Sequence, residues 1–165
     1  MKRRRRTAGE LAADVSTDPD YRARVAERER KIAAKVVEYA SEDAILAREA
    51  AELGYAISSV WDFVNNAPHP FLTRKFIGPY ERAYPMLIQH LGLRHHPRVR
   101  EGIIRALSVR DGGTILANHL LKEFLSEPDT NLKWVLANAL RIAMPYNQRR
   151  RYPEIATTLK RAGSI

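Results

Sequence analysis

Cysteine is absent from the 165 residues. That excludes disulfide scaffolds, thiolate metal sites and cysteine nucleophiles. No apolar run approaches the roughly 18 residues needed to cross a bilayer. The basic start Met1–Arg6 leads into Thr7-Ala8-Gly9-Glu10 and not into an apolar stretch, so no secretory signal is expected either. The chain reads as soluble and cytoplasmic. Nowhere do β-branched and polar residues alternate over the length of a strand, so strands are not expected. Glycine is missing between Gly9 and Gly54, and proline between Pro19 and Pro68. The first half should therefore hold long helices. Later prolines at 70, 79, 85, 97, 128, 145 and 153 predict shorter helices separated by turns.

What is present suits a globular domain: 45% hydrophobic and 28% charged residues. The net charge is +9, and five of the 28 basic residues stand in Lys2-Arg3-Arg4-Arg5-Arg6. The rest of the chain keeps 23 against 19 acidic residues, an excess of +4. A terminal basic run is a solvated tail by default, and it can add charge density toward a nucleic acid or an acidic partner.

Asp18-Pro19-Asp20 opens the first helix, with Asp18 as cap and Pro19 in the first turn. Tyr21, Val25, Ile32, Val36 and Tyr39 fall on one stripe around a charged middle. Ser41-Glu42-Asp43 reads as a break or a new cap. Ala44–Leu53 continues as helix, Gly54 ends it, and Tyr55–Val64 is read as a further helix with Trp61 on its apolar stripe. Asn65–Pro70 is a loop.

The second half repeats itself. His96–Leu107 aligns with Asp129–Leu140 at an offset of 33, matching Val99 to Leu132, Ile103 to Leu136 and Ala106-Leu107 to Ala139-Leu140. Leu87-Ile88 and Leu91 align with Leu120-Leu121 and Phe124 at the same offset, and Tyr152-Pro153 with Leu159 echoes Tyr84-Pro85 with Leu91. The spacing predicts helices over 80–91, 97–109, 113–126, 129–143 and 152–162. In such arrays each pair buries its apolar stripe against the next.

Pro97-Arg98-Val99-Arg100 with Ala106-Leu107, and Leu132-Lys133 with Ala139-Leu140, resemble the HEAT-like (armadillo-type) helical repeat superfamily. Asp18-Pro19-Asp20-Tyr21, Val60-Trp61-Asp62-Phe63-Val64-Asn65 and Val99-Arg100-Glu101-Gly102-Ile103 are similar to a group of bacterial HEAT-repeat proteins. The resemblance covers 80–162 well and 41–66 loosely. It implies an all-α fold, a right-handed α-solenoid of helix pairs with a long charged N-terminal helix. It implies a binding role and carries over no catalytic residue. The organisation expected is a basic disordered tail at 1–17, N-terminal helices at 18–66 serving as cap or first repeat, and HEAT-like repeats at 67–165. In HEAT proteins an aspartate in the turn often pairs with the arginine at the place of Arg100. Six residues before Arg100 and Lys133 stand Arg94 and Glu127, so only the second repeat keeps an acid.

Little here supports reaction chemistry. Among His69, His90, His95, His96 and His119, the adjacent pair His95-His96 reads as a polar turn, without a third ligand at metal-site spacing. Asp111-Gly112-Gly113-Thr114 reads as a helix start, and no nucleophile motif stands anywhere. No enzyme activity, cofactor or metal is expected.

The second helix of each pair is more informative. With Val99, Ile103, Ala106 and Leu107 in the core, Arg98, Glu101, Arg105 and Ser108 point outward. With Leu132, Val135, Leu136, Ala139 and Leu140 in the core, Asn131, Trp134, Asn138 and Arg141 do. Trp134 is read either as an interface anchor, as a base-stacking platform, or as packed beneath the next turn. The expected contact residues for a protein partner are Arg98, Glu101, Arg105, Trp134, Asn138 and Arg141. The alternative is nucleic acid, held by the same face with Lys2, Arg3, Arg4, Arg5 and Arg6 and with Arg149, Arg150 and Arg151, which would join Arg105, Arg141 and Lys133 in a basic field. HEAT-like DNA glycosylases need a carboxylate beside their aromatics, for which Glu101 is the one candidate. No membrane partner is expected.

Overall fold

The computed structural model describes Thr7 and residues 18–65 and 78–162, with side chains through Lys160. The Lys2–Arg6 tail and the loop carrying His69 lie outside the described residues. The chain falls into two compact units, Met1–Ala40 and Ser41–Ile165. The protein is all-α: helices α1 (Pro19–Glu52), α2 (Trp61–Val64), α3 (Tyr84–Leu91), α4 (Pro97–Ala106), α5 (Gly113–Ser126), α6 (Thr130–Ala143), α7 (Tyr146–Arg149) and α8 (Pro153–Ala162), with a 3-10 turn at Glu81–Ala83 and no strand among the described residues.

Helix α1 starts where Asp18 Oδ1 accepts from the Asp20 amide at 2.9 Å, with Pro19 in the position that needs no donor. It ends on Gly54 at φ +90°, where the Gly54 amide donates to Ala51 O and the Tyr55 amide to Ala50 O, each at 2.9 Å. This is the left-handed cap that a residue without Cβ takes at least cost. In the first unit the predicted stripe is not buried: Tyr21, Ile32 and Val36 are exposed, and Val25 and Tyr39 half-buried. Charge pairs such as Glu27–Lys31 at 3.3 Å support this stretch locally.

The expected break at Ser41-Glu42-Asp43 does not occur, since α1 runs straight through. The carboxylates there turn to distant partners and not to their own amides. Asp43 is buried and accepts from Ser59 Oγ (2.9 Å) and the Val60 amide (3.1 Å). The helix expected over Tyr55–Val64 shrinks to Trp61–Val64 for a related reason. The amides of Ser58 and Ser59 both donate to Asp62 Oδ2, at 2.8 and 3.1 Å, so side-chain bonds replace the helical ladder. Phe63, not Trp61, is the fully buried aromatic of this segment.

The five predicted helices of the second half are present to within a few residues. The second of them stops at Ala106, short of the expected 109. Pairs α3–α4, α3–α5, α4–α6, α5–α6 and α6–α8 pack together, and α2 packs on α4. Leu87, Ile103, Leu107, Leu120, Phe124, Leu136 and Leu140 form the centre of the buried core. Gly102 is the close-approach point of α2 and α4: a Cβ there would lie 2.5 Å from Val60 Cγ1 and 3.0 Å from Trp61 Nε1. Helix α7 is an addition to the predicted elements, because Pro145-Tyr146-Asn147 carries turn residues. The Gln148 and Arg149 amides both donate to Pro145 O and close a single helical turn.

Candidate interaction face

Helix α4 is set at its start by His96, whose Nδ1 accepts from the Arg98 amide at 3.2 Å, with Pro97 in the first turn. Helix α6 begins on Asp129, whose carboxylate accepts from the Leu132 amide at 2.8 Å. These caps set where each helix starts, and the apolar spacing sets which side turns inward. In α4, Val99, Ile103 and Ala106 are buried, as is Leu107 just beyond; in α6, Val135, Leu136, Ala139 and Leu140 are buried, with Leu132 half-buried. Of the residues expected to point outward, Arg98, Asn131 and Arg141 are exposed, and Glu101, Arg105, Ser108, Trp134 and Asn138 are half-buried. Trp134 is therefore neither sealed inside nor fully open.

The outward side of α4 is ordered by ion pairs. Glu101 receives Arg98 Nη1 at 3.3 Å on one oxygen and Arg105 Nε at 2.8 Å on the other. The Arg98 guanidinium also lies 3.6 Å over the Trp61 ring, whose N–H donates to the Arg98 carbonyl at 3.3 Å. Trp61 was expected in the core. It is half-buried at the edge of this face, because Val60 and Phe63 take the inward places.

A polar brace joins the start of α4 to α5 and to the turn before α6. Arg100 pairs with Glu123 at 2.9 Å and Glu127 at 3.1 Å, and donates to the Leu91 carbonyl at 2.8 Å. Glu127 is buried and also accepts from the Asp129 amide at 3.0 Å. The acid kept in the second turn thus serves the arginine of the preceding helix pair. Both charges are desolvated, and full pairing is what offsets that cost.

Three members of the expected basic field are otherwise engaged, the first being Arg105, paired with Glu101. Lys133 Nζ donates to the Glu127 carbonyl at 3.3 Å and sits 5.4 Å over the Phe124 ring. Arg149 donates to Arg141 O at 2.6 Å and to Met144 O at 3.3 Å, capping the end of α6. Arg150 and Arg151 are exposed. Lys2–Arg6 lie outside the described residues.

Sequence reasoning missed one cluster. His90 and His95 contact each other and the carboxylates of Glu49 and Glu42 in α1. The partners are 41 and 53 residues apart, so no local spacing reveals them. Among the described residues no group of three His, Asp or Glu side chains is placed to hold a metal ion. No protein-family model, no curated protein and no solved structure matches the chain.

Proposed function

We propose that the chain is a non-catalytic HEAT-like module, its helix pairs stacked as a right-handed α-solenoid, that engages a protein partner through the outward side of α4 and α6. The observation that carries this reading is the ordered outward side of α4, where Glu101 holds Arg98 and Arg105 and the Arg98 guanidinium stacks on Trp61. Half-buried Trp134 stands at the α6 position equivalent to Glu101, whose two oxygens hold Arg98 and Arg105. Tryptophan and arginine are the residue types that dominate interface energetics. Side chains already fixed lose less freedom on binding than free ones. Asn138 and Arg141 complete the polar rim.

The test is capture and quantitation of a partner by wild type and by a Trp134→Ala, Arg105→Glu variant. Loss of affinity by about thirtyfold or more is expected, the scale of a hot-spot residue. A partner retained equally by both removes this face from the proposal. The nucleic-acid reading draws on the exposed Arg98, Arg141, Arg150 and Arg151 and on the tail. Phosphate-driven binding falls by orders of magnitude between low and moderate salt. Absence of duplex or single-strand binding at low salt eliminates that reading and leaves the protein partner.

A further inference from the structure

Four titratable side chains lie end to end inside the second unit. Glu49 Oε2 is 2.9 Å from His90 Nε2, His90 Nδ1 is 3.1 Å from His95 Nε2, and His95 Nδ1 is 2.8 Å from Glu42 Oε2. The two imidazoles are nearly buried, at 6% and 9% side-chain exposure. Glu42 also accepts from the His96 amide, at 3.1 and 2.9 Å on its two oxygens.

Donor counting decides what this row holds. An ionised carboxylate only accepts, so each outer ring nitrogen carries its hydrogen toward a glutamate. In two neutral rings the inner nitrogens, His90 Nδ1 and His95 Nε2, would then be bare lone pairs facing each other at 3.1 Å. Three contacts of hydrogen-bond length need three hydrogens, and two neutral rings beside two carboxylates supply two. One further proton completes the row. It leaves the four groups with a net charge of −1, where two neutral rings would leave −2.

We propose that His90 and His95 share one proton, and that this proton closes a clasp joining the 42–49 stretch of α1 to α3 and to the start of α4. The remaining groups around the pair are accounted for. His96 is spent on capping α4 through the Arg98 amide. Arg100 reaches the Leu91 and Leu93 carbonyls at the end of α3 while its charge is met by Glu123 and Glu127. The consequence is a pH-sensitive device. Loss of the proton sets lone pair against lone pair and loosens the anchor by which Glu42 holds His96, the residue from which α4 and Arg98 begin. This inference stands apart from the partner proposal, because its test needs no partner.

A proton held between the two rings of the folded chain and given up on unfolding makes the folding constant fall as pH rises, by up to about tenfold per pH unit. Two measurements on the full chain decide it. Long-range nitrogen–proton correlation near about pH 7 should place a hydrogen on an inner nitrogen, His90 Nδ1 or His95 Nε2. Hydrogens on the two outer nitrogens alone overturn the proposal. Urea unfolding across about pH 6 to 9 should show the falling constant in wild type and its loss in His95→Gln. Equal slopes in the two proteins overturn it as well. If His95→Gln does not fold, the correlation measurement on wild type is sufficient to support or overturn the shared proton.

Discussion

Arg98 and Trp61 hold each other twice: the guanidinium stacks 3.6 Å over the indole, and the indole N–H donates to the Arg98 carbonyl at 3.3 Å. The pair ties α2 to the first turn of α4, across 37 residues of sequence. Trp61→Phe keeps an aromatic ring, smaller than the indole, and removes the donor, so it should cost at least about 1 kcal/mol in urea unfolding. Arg98→Ala removes the stacked cation at a solvent-exposed place and should cost about 0.5–1 kcal/mol. The double variant should cost less than the sum, since each change removes part of one contact. Strict additivity would show that the stacking carries no energy.

Gly102 tests how closely α2 and α4 approach. Gly102→Ala would put a methyl group 2.5 Å from Val60 Cγ1, inside a buried contact, so Val60 must shift. Overpacking of that kind costs about 1–3 kcal/mol. Gly92 is the matched control, because a Cβ there meets only Gln89 O at an ordinary 3.6 Å. Gly92→Ala should change stability by less than about 0.5 kcal/mol. Thermal or urea unfolding of the two variants side by side gives the answer, and equal effects would refute the close approach.

Glu127 should be the most sensitive surface-adjacent acid. Its side chain is 7% exposed and serves Arg100, which also binds Glu123. Glu127→Ala leaves Arg100 short of charge and the Asp129 amide without its acceptor. A loss of about 3 kcal/mol is expected, the lower range for breaking a buried pair, because Glu123 remains. Glu27→Ala removes an exposed i,i+4 partner of Lys31 and should cost less than about 0.5 kcal/mol. A small loss at Glu127 would mean that Glu123 alone satisfies the arginine.

The helical content and the inward–outward division of α4 and α6 were legible because both follow from apolar spacing, which is local. The caps at Asp18 and Gly54 were legible for the same reason. Sequence reasoning failed wherever a polar side chain took a partner that apolar spacing does not encode, distant for Glu42 and Asp43 and nearby for Asp62 and Arg149. Ser41-Glu42-Asp43 has the composition of a helix end. Yet Asp43 serves Val60 and Glu42 serves His96, at separations of 17 and 54 residues, and the helix continues. Arg149 has the sequence context of free surface charge and is a cap for α6. The exposure of Arg98 and Arg141 was readable from the spacing, whereas Glu101, Arg105, Trp134 and Asn138 are half-buried. The stacking that orders Arg98 was not readable, because Trp61 arrives from another segment.

Alkaline pH should unfasten the start of α3. Tyr80 donates its hydroxyl to Ala106 O at 2.8 Å, and Tyr84 donates to Asp111 Oδ1 at 3.0 Å. Burial, with Asp111 and Glu81 nearby, pushes the Tyr80 phenol up to about 12. Burial and the Asp111 hydrogen bond hold Tyr84 well above the ordinary tyrosine range. Both groups are acids whose neutral form the fold favours, and an unfolded tyrosine ionises near about pH 10. Their stabilising contribution is therefore complete below about pH 10, and that of Tyr80 is lost as pH rises through its folded value of about 12. Denaturant midpoints should fall between those limits, and tyrosinate absorbance should show late-ionising phenols in the native chain. Tyr80→Phe should cost about 1 kcal/mol at neutral pH from the lost hydrogen bond, and should make the alkaline fall shallower. An unchanged alkaline slope in Tyr80→Phe would show that the buried hydroxyl does not couple to folding.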